Sequence, residues 1–288
     1  MKTTILFFLL CFAINLTSAQ ETISGTMQHD NIERIHQIYI PSSYSKQNSA
    51  PLLLLIHGYS EPSKWILKYT QFQPLAEKYG FIIACPEGNI NGANVPAWNF
   101  FNINENGQIK DVDYINSFLD KLIDDYAIDE KRVYITGFSQ GGHMSFIAGC
   151  LLNSRIAAIA PVSGTLPASN LFKCSLAHNT PAIIINGDND NAVPYSGNQY
   201  GMSVSESIKV WVDYNKCNET PVISSVPDAN LNDEQTIEKH EYLDNKGNPN
   251  VVHYKVVGGT HLWPGREGNT SFEATPVIWK FLSQFSLE

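Results

Sequence analysis

The sequence is poor in positive charge. Its 288 residues hold 19 Lys+Arg against 28 Asp+Glu, a formal charge of −9. Surfaces that grip phosphate backbones or anionic lipid need a basic excess, so neither nucleic acid nor membrane is an expected partner. There is no C-x-x-C and no H-E-x-x-H, so the sequence offers no case for zinc or any other metal. No internal repeat and no long charge run is visible, which argues against solenoids and charged tails. The apolar run from Ile5 to Ile14 is too short to span a bilayer. Cysteine is sparse, at 5. That is too few for a small disulfide-built scaffold.

The 43% hydrophobic content suits an ordinary globular core. Residues 1–19 read as a secretory signal peptide. Lys2 gives a positive start, Ile5 to Ile14 the apolar stretch, and Thr17-Ser18-Ala19 ends in a small residue suited to cleavage. The expected location is therefore secreted or periplasmic, with a mature start at Gln20. Residues 20–288 are expected to form one catalytic domain, monomeric, with no linker-like break in composition.

Strand and helix signals alternate along the chain. Glu33 to Ile40 reads as an edge or early strand. Pro51 to Ile56 is continuously apolar, as a parallel strand buried on both faces would be. A helix is expected over 65–79, interrupted near Pro74, then a strand over 81–85. Residues 86–109 are rich in Asn, Gly and aromatics and show no period; they read as one wall of a binding cleft. Helical spacing returns over 111–126, 205–215 and 272–285, and buried strands over 132–136, 156–162, 181–186 and 251–257. This order predicts an α/β fold with a mainly parallel central sheet and helices on both faces.

The organising stretch is Gly137-Phe138-Ser139-Gln140-Gly141-Gly142. It follows a strand and opens a helix. A G-x-S-x-G at a strand–turn–helix junction is the nucleophile elbow of the α/β-hydrolases. Small neighbours let the strained turn form and lift the Ser139 hydroxyl out of the sheet. The Gln140 amide, at the helix start, is the first expected oxyanion donor. In this fold the acid and then the histidine follow the serine. After strand 181–186 comes Gly187-Asp188-Asn189-Asp190-Asn191, so either Asp188 or Asp190 could be the acid. After strand 251–257 comes Gly258-Gly259-Thr260-His261, so His261 is the expected base.

The segments G-F-S-Q-G-G, N-G-D-N-D-N-A-V-P-Y and G-G-T-H-L-W-P-G resemble those of secreted polyhydroxybutyrate depolymerase-like esterases. That group grades into feruloyl and acetylxylan esterases. The resemblance runs from about Tyr39 to Phe281 and includes His57-Gly58 at the oxyanion loop. It implies Ser139, Asp190 and His261 as the catalytic residues and the Tyr59 amide as the second oxyanion donor. Trp263, Trp98 and Tyr195 are the expected substrate-facing aromatics. A disulfide between Cys150 and Cys174 is implied as well, with Cys85 and Cys217 unpaired. Two positions depart from the pattern: Asn186 replaces a His and Asp188 a Thr, and both can bear on how Asp190 is oriented.

The implied reaction is cofactor-free ester hydrolysis through an acyl-enzyme. The substrate is an oligomeric hydroxybutyrate-type ester, or a feruloyl or acetyl ester of plant polysaccharide. Nearly all of the sequence reads as catalytic domain, which disfavours an insoluble polymer. Two other readings stand beside this one: a serine peptidase of the same fold, and an inactive carbohydrate-binding homologue.

Overall fold

The computed structural model describes residues 21–99, 110–167, 178–227, 234–266 and 272–288. The expected leader, residues 1–19, lies outside them.

The chain begins with β1 (Glu21–His29), β2 (Ile32–Ile40) and β3 (Ala50–Ile56). Helices α1 (Ser63–Thr70) and α2 (Gln73–Tyr79) lead to β4 (Ile82–Pro86) and a small pair, β5 (Asn89–Ile90) and β6 (Pro96–Ala97). Then come α3 (Lys110–Asp125), β7 (Ile128–Phe138), α4 (Gln140–Leu151), β8 (Ala158–Val162) and β9 (Ala182–Gly187). The rest is α5 (Val204–Tyr214), β10 (Val222–Val226), β11 (Thr236–Leu243), β12 (Pro249–Val257) and α6 (Ala274–Leu282).

Ten strands form one sheet in the order β1-β2-β4-β3-β7-β8-β9-β12-β11-β10. The central run from β4 to β12 is parallel, and the pairs toward both edges are antiparallel. This is the α/β-hydrolase fold expected from the sequence. Side chains alternate across a strand, so β3 divides its own apolar run between two cores. Leu52, Leu54 and Ile56 pack with Ile115 of α3, Phe146 of α4 and Trp211 of α5. Leu53 and Leu55 face the other way, toward Ile66 of α1, Ala76 of α2 and Ile278 of α6. Full burial on both faces is why that run shows no polar alternation.

The structure refines the edges. The strand expected over 33–40 is β2, and the edge is β1, joined to it by a turn through Asp30 and Asn31. Both turn residues have positive φ, 52° and 61°, as a tight twisted hairpin requires. The break in the expected helix 65–79 falls at Gln71, which adopts a left-handed conformation with φ 56°. Pro74 sits in the first turn of the next helix, where a missing N–H costs nothing. Strands β10 and β11 extend the far edge; a strand was expected around His240, in β11, but none over β10.

Candidate active site

The elbow takes the form its sequence requires. Ser139 has φ 57° and ψ −117°, outside the regions an L-residue prefers. The turn is held from both ends. Ser139 N–H donates to the Val162 carbonyl at 2.9 Å, and the Ser139 carbonyl accepts from Gly142 N–H at 2.9 Å. A Cβ on Gly141 would fall on the carbonyl oxygen of Ile56, so any side chain there would push β3 away from α4.

Three loops at the C-terminal ends of β7, β9 and β12 bring the expected residues together. His261 Nε2 lies 2.9 Å from Ser139 Oγ, and His261 Nδ1 lies 2.7 Å from Asp190 Oδ2. Asp190 is nearly buried, at 5% exposure. Its other oxygen accepts the backbone N–H groups of Ala192 at 2.9 Å and Val193 at 2.8 Å. With one oxygen fixed by two amides, the second is aimed at the imidazole. Nδ1 then carries the proton, because a buried carboxylate only accepts, and Nε2 is left to take a proton from Ser139. Phe138 packs beside the imidazole, ring centroids 4.9 Å apart.

The two departures noted in the acid loop have structural partners. Asn186 Nδ2 donates to the Gly164 carbonyl at 3.1 Å. Asp188 accepts Gly258 N–H at 2.7 Å and pairs with Lys255 at 3.2 Å. Neither touches Asp190 or His261 in these contacts; both brace the backbone that carries them.

The loop expected to hold the oxyanion is His57-Gly58-Tyr59. His57 is fully buried. Its Nδ1–H donates to the Gly58 carbonyl at 2.6 Å, and Nε2 accepts Gly88 N–H at 2.8 Å. Burial pushes its pKa down to about 4, so the ring is neutral, as the accepting Nε2 requires. Gly58 N–H donates to Glu61 Oε2 at 2.9 Å. Trp98 Nε1–H donates to the His57 carbonyl at 3.0 Å, and Trp98 N–H to Gln140 Oε1 at 2.8 Å. The Trp98 loop, far away in sequence, thus braces the His57 carbonyl and the Gln140 side chain. Glu61 was missed by sequence reasoning. The available signal was an acid four residues past the histidine, in a turn that must fix its own amides.

The aromatics need correction. Trp263 is fully buried, its indole N–H on Thr275 Oγ1 at 2.9 Å and its ring edge-on to Phe72. It is a core residue that anchors the His261 loop and does not face substrate. Tyr195 lines a separate cavity with His240, Tyr242 and His253 and is absent from the lining of the Ser139 cleft. Trp98 is 3% exposed and acts mainly through its hydrogen bonds, though it edges a polar groove. Of the loop expected as a cleft wall, residues 89–91 and 97–99 border that groove; residues 100–109 lie outside the described residues.

Ser139 opens into a cavity of about 620 Å³, bounded by Tyr59, His143, Thr165 and parts of the 192–201 strip, namely residues 192–194, 197–198 and 200–201. Cys85 and Cys217 are free thiols, and Cys150 does not join them. Its expected partner Cys174 lies outside the described residues. Among the described residues no cluster of three or more His, Cys, Asp or Glu could hold a metal, and no helix is long and apolar enough to cross a membrane.

Fold and site together define an α/β-hydrolase with a Ser–His–Asp array at the ends of its parallel strands. The chain belongs to the phospholipase/carboxylesterase family, whose model matches residues 41–226. It is 28% identical over 276 residues to a bifunctional acetylxylan esterase/xylanase of Neocallimastix patriciarum, covering 93% of this chain and 36% of that protein. It is 28% identical over 261 residues to feruloyl esterase B of Piromyces equi, covering 87% of this chain and 45% of that protein. The chain therefore spans less than half of the length of either relative. Among solved structures, an acetyl xylan esterase from Aspergillus awamori superposes with a TM-score of 0.67 at 16% identity, over 91% of this chain and 99% of that one. At that identity the match speaks for the fold alone.

Proposed function

We propose that the protein is a secreted serine esterase that removes acetyl or feruloyl groups from plant polysaccharide. The observation that carries the mechanism is the continuous hydrogen-bonded line Ser139–His261–Asp190, at 2.9 and 2.7 Å. His261 takes the Ser139 proton as Oγ attacks the ester carbonyl. Asp190 holds the tautomer and stabilises the imidazolium. The amides of Tyr59 and Gln140 receive the oxyanion; neither has an acceptor among the described residues. His261 then gives its proton to the departing alcohol, and water repeats the sequence on the acyl-enzyme.

The choice of polysaccharide esters rests on the two relatives above, which carry acetylxylan and feruloyl esterase names. Secretion rests on the expected signal peptide. Residues 20–288 act as one catalytic unit in this reading. The test is a substrate panel for the purified protein: acetylated xylan, methyl ferulate and hydroxybutyrate oligomers. The expected result is turnover of acetylated xylan or methyl ferulate well above that of the oligomers. Turnover of hydroxybutyrate oligomers alone, or of none of the three esters, contradicts it.

A further inference from the structure

A second cavity, of about 350 Å³, lies on the far side of Tyr59 and Gln140 from the 192–201 strip. Those two residues line both cavities, so the two form one continuous surface across the oxyanion donors. One wall of the second cavity is the β1–β2 hairpin, with Asp30 and Ile32. The other is the segment running through Asn89, Ile90 and Asn91. Neither wall is part of the Ser–His–Asp array.

The chemistry of the lining is specific. Its floor includes Arg34 and Asp111, but these are spent on each other: they pair at 2.9 Å, both nearly buried. Arg34 also lies over the Tyr114 ring at 3.8 Å and donates to the Glu87 carbonyl. Asp111 also accepts Asn99 N–H at 2.6 Å. The floor thus presents no uncompensated charge, and the two exposed charges of the rim, Asp30 and Lys110, are of opposite sign, so the lining carries no net charge that would select an ionic ligand. Beside that balanced pair lie the amide side chains of Asn89, Asn91 and Gln140 and exposed apolar surface. Ile32 is 37% exposed, Ile90 52% and Tyr59 49%. Isolated exposed apolar residues are ordinary, but three around one polar groove are a patch. A ligand that satisfies both is neutral, with hydrogen-bonding edges and apolar C–H faces. Sugar rings have that character. The volume lies within the usual range of small-ligand sites.

We propose that this groove is a subsite for the sugar portion of the ester substrate. A carbonyl at Ser139 sends its two substituents in different directions. The small and apolar lining of Ala192, Val193, Pro194 and Gly201 takes the acyl group. The glycan crosses Tyr59 and lies between Ile32 and Ile90. This inference rests on the ester-hydrolase reading and adds where the polysaccharide runs.

The test holds the acyl group constant and varies the alcohol. Wild type, Ile32→Asp and Ile90→Asp are assayed on p-nitrophenyl acetate and on acetylated xylo-oligosaccharide. Each variant strips an apolar face and adds an acid to a groove whose charges otherwise balance. The two sites lie on opposite walls and are exposed, and thermal melting reports folding. The expected result is a fall on the order of tenfold in the ratio of kcat/KM, oligosaccharide over small ester, carried by KM; this corresponds to about 1.4 kcal/mol. Separately, Ser139→Ala protein titrated with deacetylated xylo-oligosaccharide should bind it, and adding Ile90→Asp should weaken that binding. An unchanged ratio in both variants, or no xylo-oligosaccharide binding, overturns the subsite. If wild type cleaves neither ester, the esterase reading fails, and the titration alone still decides the groove.

Discussion

Asp188 and Gly258, 70 residues apart, are joined by a 2.7 Å hydrogen bond from the Gly258 amide to the Asp188 carboxylate. The contact ties the acid loop to the start of the His261 loop. Asp190, two residues on, does a different job: it reaches the imidazole directly at 2.7 Å. One aspartate braces backbone and the other meets the His261 imidazole. Asp190→Asn should therefore lower kcat by about 10⁴, the cost of favouring the wrong imidazole tautomer. Asp188→Asn keeps an acceptor for Gly258 and should cost about tenfold or less, near 1 kcal/mol. Steady-state kinetics of the two variants decide it. A worse loss for Asp188→Asn would reverse the assignment.

Buried histidines make the fold acid-sensitive, His57 and His253 among them. Burial pushes the pKa of His57 down to about 4; burial, then the nearby charges of His240 and Lys255, push that of His253 down to about 3. In the unfolded chain each titrates near 6.5, so below that pH the unfolded state binds more protons. Stability is then complete above pH 6.5 and falls as the pH drops toward 4. Each ring contributes on the order of 3 kcal/mol across that window. His253 is the cleaner probe, because its buried Nε2 has no hydrogen-bond partner. Urea unfolding at pH 7.5 and pH 5 should show a smaller acid loss in His253→Phe than in wild type. Equal losses would remove His253 from the account.

Much of this was legible before the structure, for identifiable reasons. Pro51 to Ile56 read as a doubly buried strand because both of its faces are apolar. Ser139 and His261 stood out because a strained turn and a glycine-rich strand end leave chemical traces in sequence. Asp190 and Asp188 could not be separated on spacing, since their difference lies in what each carboxylate reaches. β1 went unread because its pattern is polar and half-exposed throughout. Trp263 was misread for a related reason. Sequence places an aromatic beside His261 but does not say which way its ring turns, and Thr275 holds it inward.

A disulfide between Cys150 and Cys174 is expected to tie the elbow helix to the segment entering β9. The closed loop would hold about 25 residues, worth roughly 3–4 kcal/mol by chain entropy. Cys85 and Cys217 are free, which leaves them outside the pairing. A non-reducing peptide map should recover Cys150 and Cys174 in one linked species. Alkylated Cys150, or Cys150 joined to another cysteine, would rule the bridge out.

The central claim is that Ser139 is the nucleophile of an ester hydrolase. The most direct measurement is covalent labelling with an organophosphonate probe, read by peptide mass spectrometry beside ester hydrolysis by wild type and Ser139→Ala. The account predicts stoichiometric label on Ser139 in wild type and none in the variant. It also predicts a rate loss of roughly 10⁴–10⁶-fold in a variant that melts as wild type does. Label on a different serine, or near-wild-type hydrolysis by folded Ser139→Ala, would contradict it.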